Sequence, residues 1–154
     1  MVPTKVLVVA NRTADSPDLI TALSQRADER PSGFTLLVPA VPHGLAWAAD
    51  MKAGWSEAVL RAERAGARIR QAGLDLDEVI VGDPDPFAAV GDVIHAREFD
   101  EVVVSTLPRT VSRWLALGLP ARLRRAVDLP VHEVQAQSSS QPLPERAARE
   151  TVAA

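Results

Sequence analysis

Ser105, Thr106, Arg109, Ser112 and Arg113 crowd into one short stretch directly after the apolar run Val102-Val103-Val104. Hydroxyls donate to oxyanions, and guanidinium groups fork onto phosphate or carboxylate. Together these residue types predict a side-chain-built site for a small anion. Arg109 and Arg113 are four positions apart and share a face if a helix begins early enough. The competing reading of both arginines is a solvated surface, or pairing with carboxylates of the same chain. Asn11, Arg12 and Thr13 follow the other strongly apolar run, Val6-Leu7-Val8-Val9. Asn11 suits either a ligand contact or a side-chain bond to nearby turn backbone.

Other reactive residue types are scattered. His43, His95 and His132 are far apart, with no His/Glu pair at metal-ligand spacing on a helix, so no metal site is assigned. Asp83 and Asp85 flank Pro84; they could hold a magnesium ion or act in acid/base chemistry, but a turn and a helix cap account for them more cheaply. Ser105, Thr106 and Ser112 lack a Gly-x-Ser-x-Gly elbow and a neighbouring histidine, so no catalytic residue is assigned and an enzyme is not the expectation. Cysteine is absent, which removes disulfides, thiolate metal sites and thiol nucleophiles together.

Elements must bring those residues together. Strands are expected over residues 5–10, 34–40, 78–81, 101–104 and 131–134, alternating with helical patterns over about 16–28, 56–72 and 86–97 and a basic helix beginning near Pro120. Continuous apolar runs, unlike alternating ones, suit strands covered on both faces. The expected fold is therefore α/β, a three-layer α/β/α sandwich around a five-stranded parallel sheet. In such a sheet ligands bind beyond the carboxyl ends of the strands, where the hydroxyl and arginine turn is expected. Residues 1–135 are expected to form this domain and 136–154, polar and poor in large apolar side chains, a flexible tail. The Pro-, Gly- and Ala-rich stretch 39–55 is long for a connection and suggests a lid or partner surface; Trp47 and Trp55 in it could cover a ligand or anchor in the protein's own core, and Trp114 reads as structural.

The 154 residues suit one domain, and their formal charge of −3 argues against a nucleic-acid or anionic-membrane surface. The cluster Arg122, Arg124 and Arg125 reads as a solvated helix face. No apolar run is long enough to span a bilayer, and the start Met1-Val2-Pro3-Thr4 runs straight into a strand without a secretory pattern, so the expected location is cytoplasmic.

Laid out this way, residues 4–134 resemble the universal stress protein family, through the turn Gly82-Asp83-Pro84, the apolar fourth strand with its loop and helix, and the closing Asp128-Leu129-Pro130-Val131-His132-Glu133-Val134. The resemblance implies strand order 3-2-1-4-5, a homodimer paired through the last strand, and ATP or AMP as ligand. It also implies that Asn11 stands where an aspartate contacts adenine and that Val38, with Pro39 and Ala40, lies where the ring is received; ordinary strand-end packing is the other reading of Val38. ATP-binding members carry Gly-x2-Gly-x9-Gly followed by Ser or Thr after the fourth strand. Here those positions hold Ser105, Pro108, Gly118 and Leu119, so only Gly118 is retained. Proline has no NH to offer a phosphate, and leucine no hydroxyl. The leading expectation is thus a non-enzymatic ligand-binding or regulatory module with a diverged nucleotide loop and no assigned cofactor. The alternatives are an ATP- or AMP-binding stress protein with at most slow hydrolysis, and a structural dimer or partner-interaction module.

Overall fold

The computed structural model describes residues 2–40, 47–108 and 112–137, with residues 47–54 and 113 described by backbone alone. The chain runs β1 (Thr4–Val9), α1 (Pro17–Glu29), β2 (Ser32–Pro39), α2 (Trp47–Gln71), β3 (Asp75–Gly82), α3 (Pro86–Ala96), β4 (Glu101–Thr106), α4 (Arg113–Ala116), α5 (Leu119–Ala126) and β5 (Val131–Gln135). All strands are parallel, in the order β3-β2-β1-β4-β5. The step from β3 through β2 to β1, then outward to β4, puts the reversal of strand order between β1 and β4.

Strand alternation divides the core in two. Val6, Val8, Phe34, Leu36, Val38 and Val103 turn to one face, where they meet Leu19 and Leu23 of α1 and Ala58, Ala62, Ala65 and Ile69 of α2. Leu7, Val9, Leu37, Val102 and Val104 turn to the other, against Ala89, Val90 and Val93 of α3 and Leu119 and Leu123 of α5. This double covering is why the strands read as unbroken apolar runs. The buried stripe of α2 is mostly alanine, which brings the helix close to the sheet; a Cβ on Gly66 would stand 3.1 Å from a Val79 methyl.

Helix ends follow their caps. Ser16 accepts from the Leu19 amide at 3.2 Å to start α1, and Asp85 accepts from Phe87 at 3.0 Å to start α3. Asp83 accepts from the Asp85 amide at 2.8 Å, so both carboxylates at this strand end are engaged in the turn and cap.

β2 and β3 begin two and three residues earlier than expected, at Ser32 and Asp75, and other expectations differ more. Helix α2 begins at Trp47 rather than near residue 56, since alanine and methionine around the two tryptophans continue a helix readily. Trp55 is 48% exposed, not a core anchor. Ser105 and Thr106 are the last residues of β4 rather than part of a turn. Beyond β5, Ala136 donates to the Thr106 carbonyl at 2.8 Å and Gln137 to Asp18 at 2.7 Å, so the first two residues assigned to the tail are tied to the domain. The remainder of the expected tail, 138–154, lies outside the described residues, as do 41–46 of the expected lid.

Candidate functional site

Buried polar side chains gather at one end of the molecule. Asn11, Thr13, Asp15 and Ser16 follow β1, while Ser105, Thr106 and Ser112 end or follow β4. The only other buried polar residues among those described are Ser32 and Thr35. Because β1 and β4 are neighbours at the reversal of strand order, these groups gather around the carboxyl ends where an open α/β sheet forms its crevice.

Two contacts organise the β1 side. Asn11 donates Nδ2 to the Pro39 carbonyl at 2.8 Å, tying β1 to the end of β2, and its Oδ1 accepts from the Arg61 guanidinium. Thr13 Oγ1 and Ser105 Oγ lie 2.6 Å apart, joining the β1–α1 loop to β4. Two turns further along α2, Arg68 donates to the Asp15 carbonyl at 2.7 Å, which fixes the loop against the helix. Arg61 is half-buried, and desolvation is the largest cause lowering its pKa below the ordinary arginine value. Glu57 and Asp15 oppose that shift, whereas Arg12 and Arg64 add to it.

The expected site residues separate on this framework. Asn11 and Ser105 do flank one crevice, on the α1/α2 face. Thr106, one residue on, shares the opposite face with Val102 and Val104, because successive strand side chains alternate. A single ion between the Ser105 and Thr106 hydroxyls, the arrangement expected from a turn, is thereby excluded. Thr106 Oγ1 is buried with no hydrogen-bond partner. The Ser112 hydroxyl accepts from the Leu115 amide at 3.2 Å, capping α4. Val38 is fully buried within the α1/α2 core, so strand-end packing accounts for its side chain. Arg12 is exposed on the same loop as Asn11. Gly118 adopts φ 66°, ψ 30° at the start of α5, a left-handed conformation that glycine takes without strain, and no side chain caps that helix. Arg109 and the Arg113 side chain lie outside the described residues.

Thr13 and Arg61 went unassigned in the sequence reading. A signal for the second was present: Arg61, Arg64 and Arg68 recur at helical spacing beside the stripe Ala58, Ala62, Ala65 and Ile69. A shallow groove of about 420 Å³ between α2 and the edge strand β3, lined by Val59, Ala62, Gly66, Val79 and Val81 among others, shares no residue with the crevice.

With strand order, register and crevice established, the solved structures can be placed beside the chain. A universal stress protein from Archaeoglobus fulgidus superposes with a TM-score of 0.57 at 16% identity, covering 87% of this chain and 95% of that one. A universal stress protein family protein from Arabidopsis thaliana, solved with AMP bound, gives 0.56 at 15% identity over 94% and 99%. One from Burkholderia pseudomallei gives 0.59 at 16% over 84% and 94%. The chain has the universal stress protein fold. No protein-family model matches it, and no curated protein sequence does. Identities at this level carry the backbone arrangement alone, and the chemistry of the crevice follows from this chain's own residues.

Proposed function

We propose that the protein is a non-enzymatic ligand-binding or regulatory module, whose ligand occupies the crevice between the carboxyl ends of β1 and β4. The observation that supports this reading is the concentration of buried polar side chains at the carboxyl ends of these two strands and in the loop after β1. Burying polar groups is costly unless something satisfies them, and strand ends that serve packing alone are usually apolar. The non-catalytic part rests on Ser105: its hydroxyl is paired with another hydroxyl, which does not activate it as a nucleophile.

The expected ligand is small, because the loop after β4 no longer offers a triphosphate cradle: Pro108 cannot donate, Leu119 has no hydroxyl, and Ser112 is spent on α4. A nucleotide is the second reading, favoured by neighbours of the same fold solved with dAMP, cAMP or AMP. A third, partner binding, draws on the exposure of Trp55 and Leu60 along α2. A homodimer through β5 belongs to the same proposal, since among the described residues β5 is an edge strand with β4 as its one neighbour.

Calorimetric titration with AMP and ATP, each with and without Mg²⁺, tests the leading reading. The expected result is ATP binding no tighter than AMP, no effect of Mg²⁺, and no ATP turnover. Tight Mg²⁺-dependent ATP binding or robust hydrolysis overturns it.

A further inference from the structure

We propose that the open edge of β3, with the groove beside α2, is the docking surface for a second copy of this chain in a two-fold dimer. The inference stands apart from the ligand-binding role above, and neither falls with the other.

The edge is open over a short length. The Ala40 amide donates to the Gly82 carbonyl at 3.0 Å, so the Gly82 backbone faces β2, and alternation turns the backbone groups of Val79 and Val81 outward. Toward the amino end the register slips between Phe34 and Thr35, with Asp77 as the extra residue, which leaves a regular edge only from Glu78 to Gly82. Val79, Ile80 and Val81 are partly exposed there. The contact at β5 uses the opposite edge, where the Val131 carbonyl already accepts from Arg124 Nε at 3.2 Å.

The charges around the groove select the occupant. Glu63 and Arg70 line it together with the apolar residues of α2 and β3. Both are exposed, and neither side chain forms an ion pair among the described residues. Glu63 stands three residues before Gly66, and Arg70 four after it. A two-fold axis beside Gly66 sets the α2 helices of two copies antiparallel. It brings Glu63 of one copy level with Arg70 of the other to within about 1.5 Å along the helix. The surface is therefore complementary to itself, with each pair made twice.

Strand and helix agree on where the axis lies. A Val79 methyl stands 3.1 Å from the Cβ position of Gly66, so an axis beside Gly66 also passes Val79. The outward backbone groups of two Val79 residues then exchange both hydrogen bonds of an antiparallel pair. Because α2 packs on β2 as well as on β3, its axis lies inward of the edge. Strands paired roughly 4.8 Å apart would then hold the two helices about 8–10 Å apart, a contact distance that suits a residue as small as Gly66. The short strand pairing is marginal alone, and the helix contact completes it.

The test is sedimentation equilibrium of the full chain at micromolar concentrations, with Glu63→Arg, Arg70→Glu, the double reversal, and Glu133→Pro, which removes an outward NH at the β5 edge. The unaltered chain is expected to dimerise. Each single reversal sets like charges together at two places and is expected to raise the dissociation constant roughly tenfold or more. The double reversal is expected to return it to within about threefold of the original, a recovery that a loss of folding would not show. Glu133→Pro is expected to leave the dimer intact, and circular dichroism checks each fold. A monomer at every concentration, single reversals without effect, a double reversal that does not recover, or a dimer lost in Glu133→Pro overturns the β3 interface.

Discussion

The two ends of the sheet treat polar groups in opposite ways. At the amino ends, donors meet acceptors of opposite character. Asp100 accepts from the Lys5 amide at 2.8 Å, Arg26 meets Glu101 at 2.8 Å, and His132 lies 3.3 Å from the other Glu101 oxygen. At the carboxyl ends the acceptors are neutral: a hydroxyl pairs with a hydroxyl, the Asn11 amide oxygen accepts from the Arg61 guanidinium, and the Thr106 hydroxyl has no partner among the described residues. The first pattern ties strands and helices together in partly hydrated surroundings. The second keeps polarity buried at the topological position where ligands bind, with less internal satisfaction than a purely structural contact would have.

The largest expected effect tests whether the hydroxyl pair is a coupled unit. Ser105→Ala should cost about 2 kcal/mol, because Thr13 is then left buried with an unpaired hydroxyl. Adding Thr13→Val should restore most of that loss, since replacing both partners removes the unpaired group. Urea unfolding midpoints of the two single variants and the double variant measure the coupling, and simple additivity would remove the contrast between the two ends.

At the other end, Glu101→Gln should cost about 1 kcal/mol, because Arg26 and His132 lose a charged acceptor with side-chain exposure of only 16%. AMP affinity should not change. A shift in AMP affinity in this variant would mean that the two ends are not independent. Thr106→Val should move stability the other way, raising it by about 1 kcal/mol through removal of an unpaired buried hydroxyl of nearly the same shape. If that hydroxyl serves the ligand, AMP affinity should fall while the unfolding midpoint rises, a pairing of signs that no purely structural role produces.

How far these features could be read from the chain depends on their range. The strands and their double covering were legible because Val6-Leu7-Val8-Val9 and Val102-Val103-Val104 are apolar without alternation; Asp85 was legible as a cap, whereas the choice between Asp15 and Ser16 at the start of α1 was settled only by the fold. Asn11 and Ser105 fall at one crevice because β1 lies beside β4, an order that the family resemblance implied and no local pattern states. The face of Thr106 was not legible, since a shift of two residues in where β4 ends decides whether it belongs to a turn or to the strand's opposite side. Arg61 was missed for a different reason. Its partner Asn11 lies 50 positions away, and its reach depends on how closely an alanine-lined helix packs, which no local pattern reports.

The smallest expected effect separates burial from bond count. Arg97 donates to both Glu78 oxygens, at 2.7 Å and 2.6 Å, a geometry as good as any ion pair described in the protein. Both side chains are more than 40% exposed, so water already satisfies each partner and salt screens the pair. Arg97→Ala should therefore lower stability by no more than about 0.5 kcal/mol and do so less at raised salt, even though Arg97 makes two charged bonds and Arg26 one. Should Arg97→Ala cost as much as Glu101→Gln in the same urea titrations, hydration would not be what distinguishes these contacts, and the contrast between the sheet's two ends would have to rest on ligand binding alone.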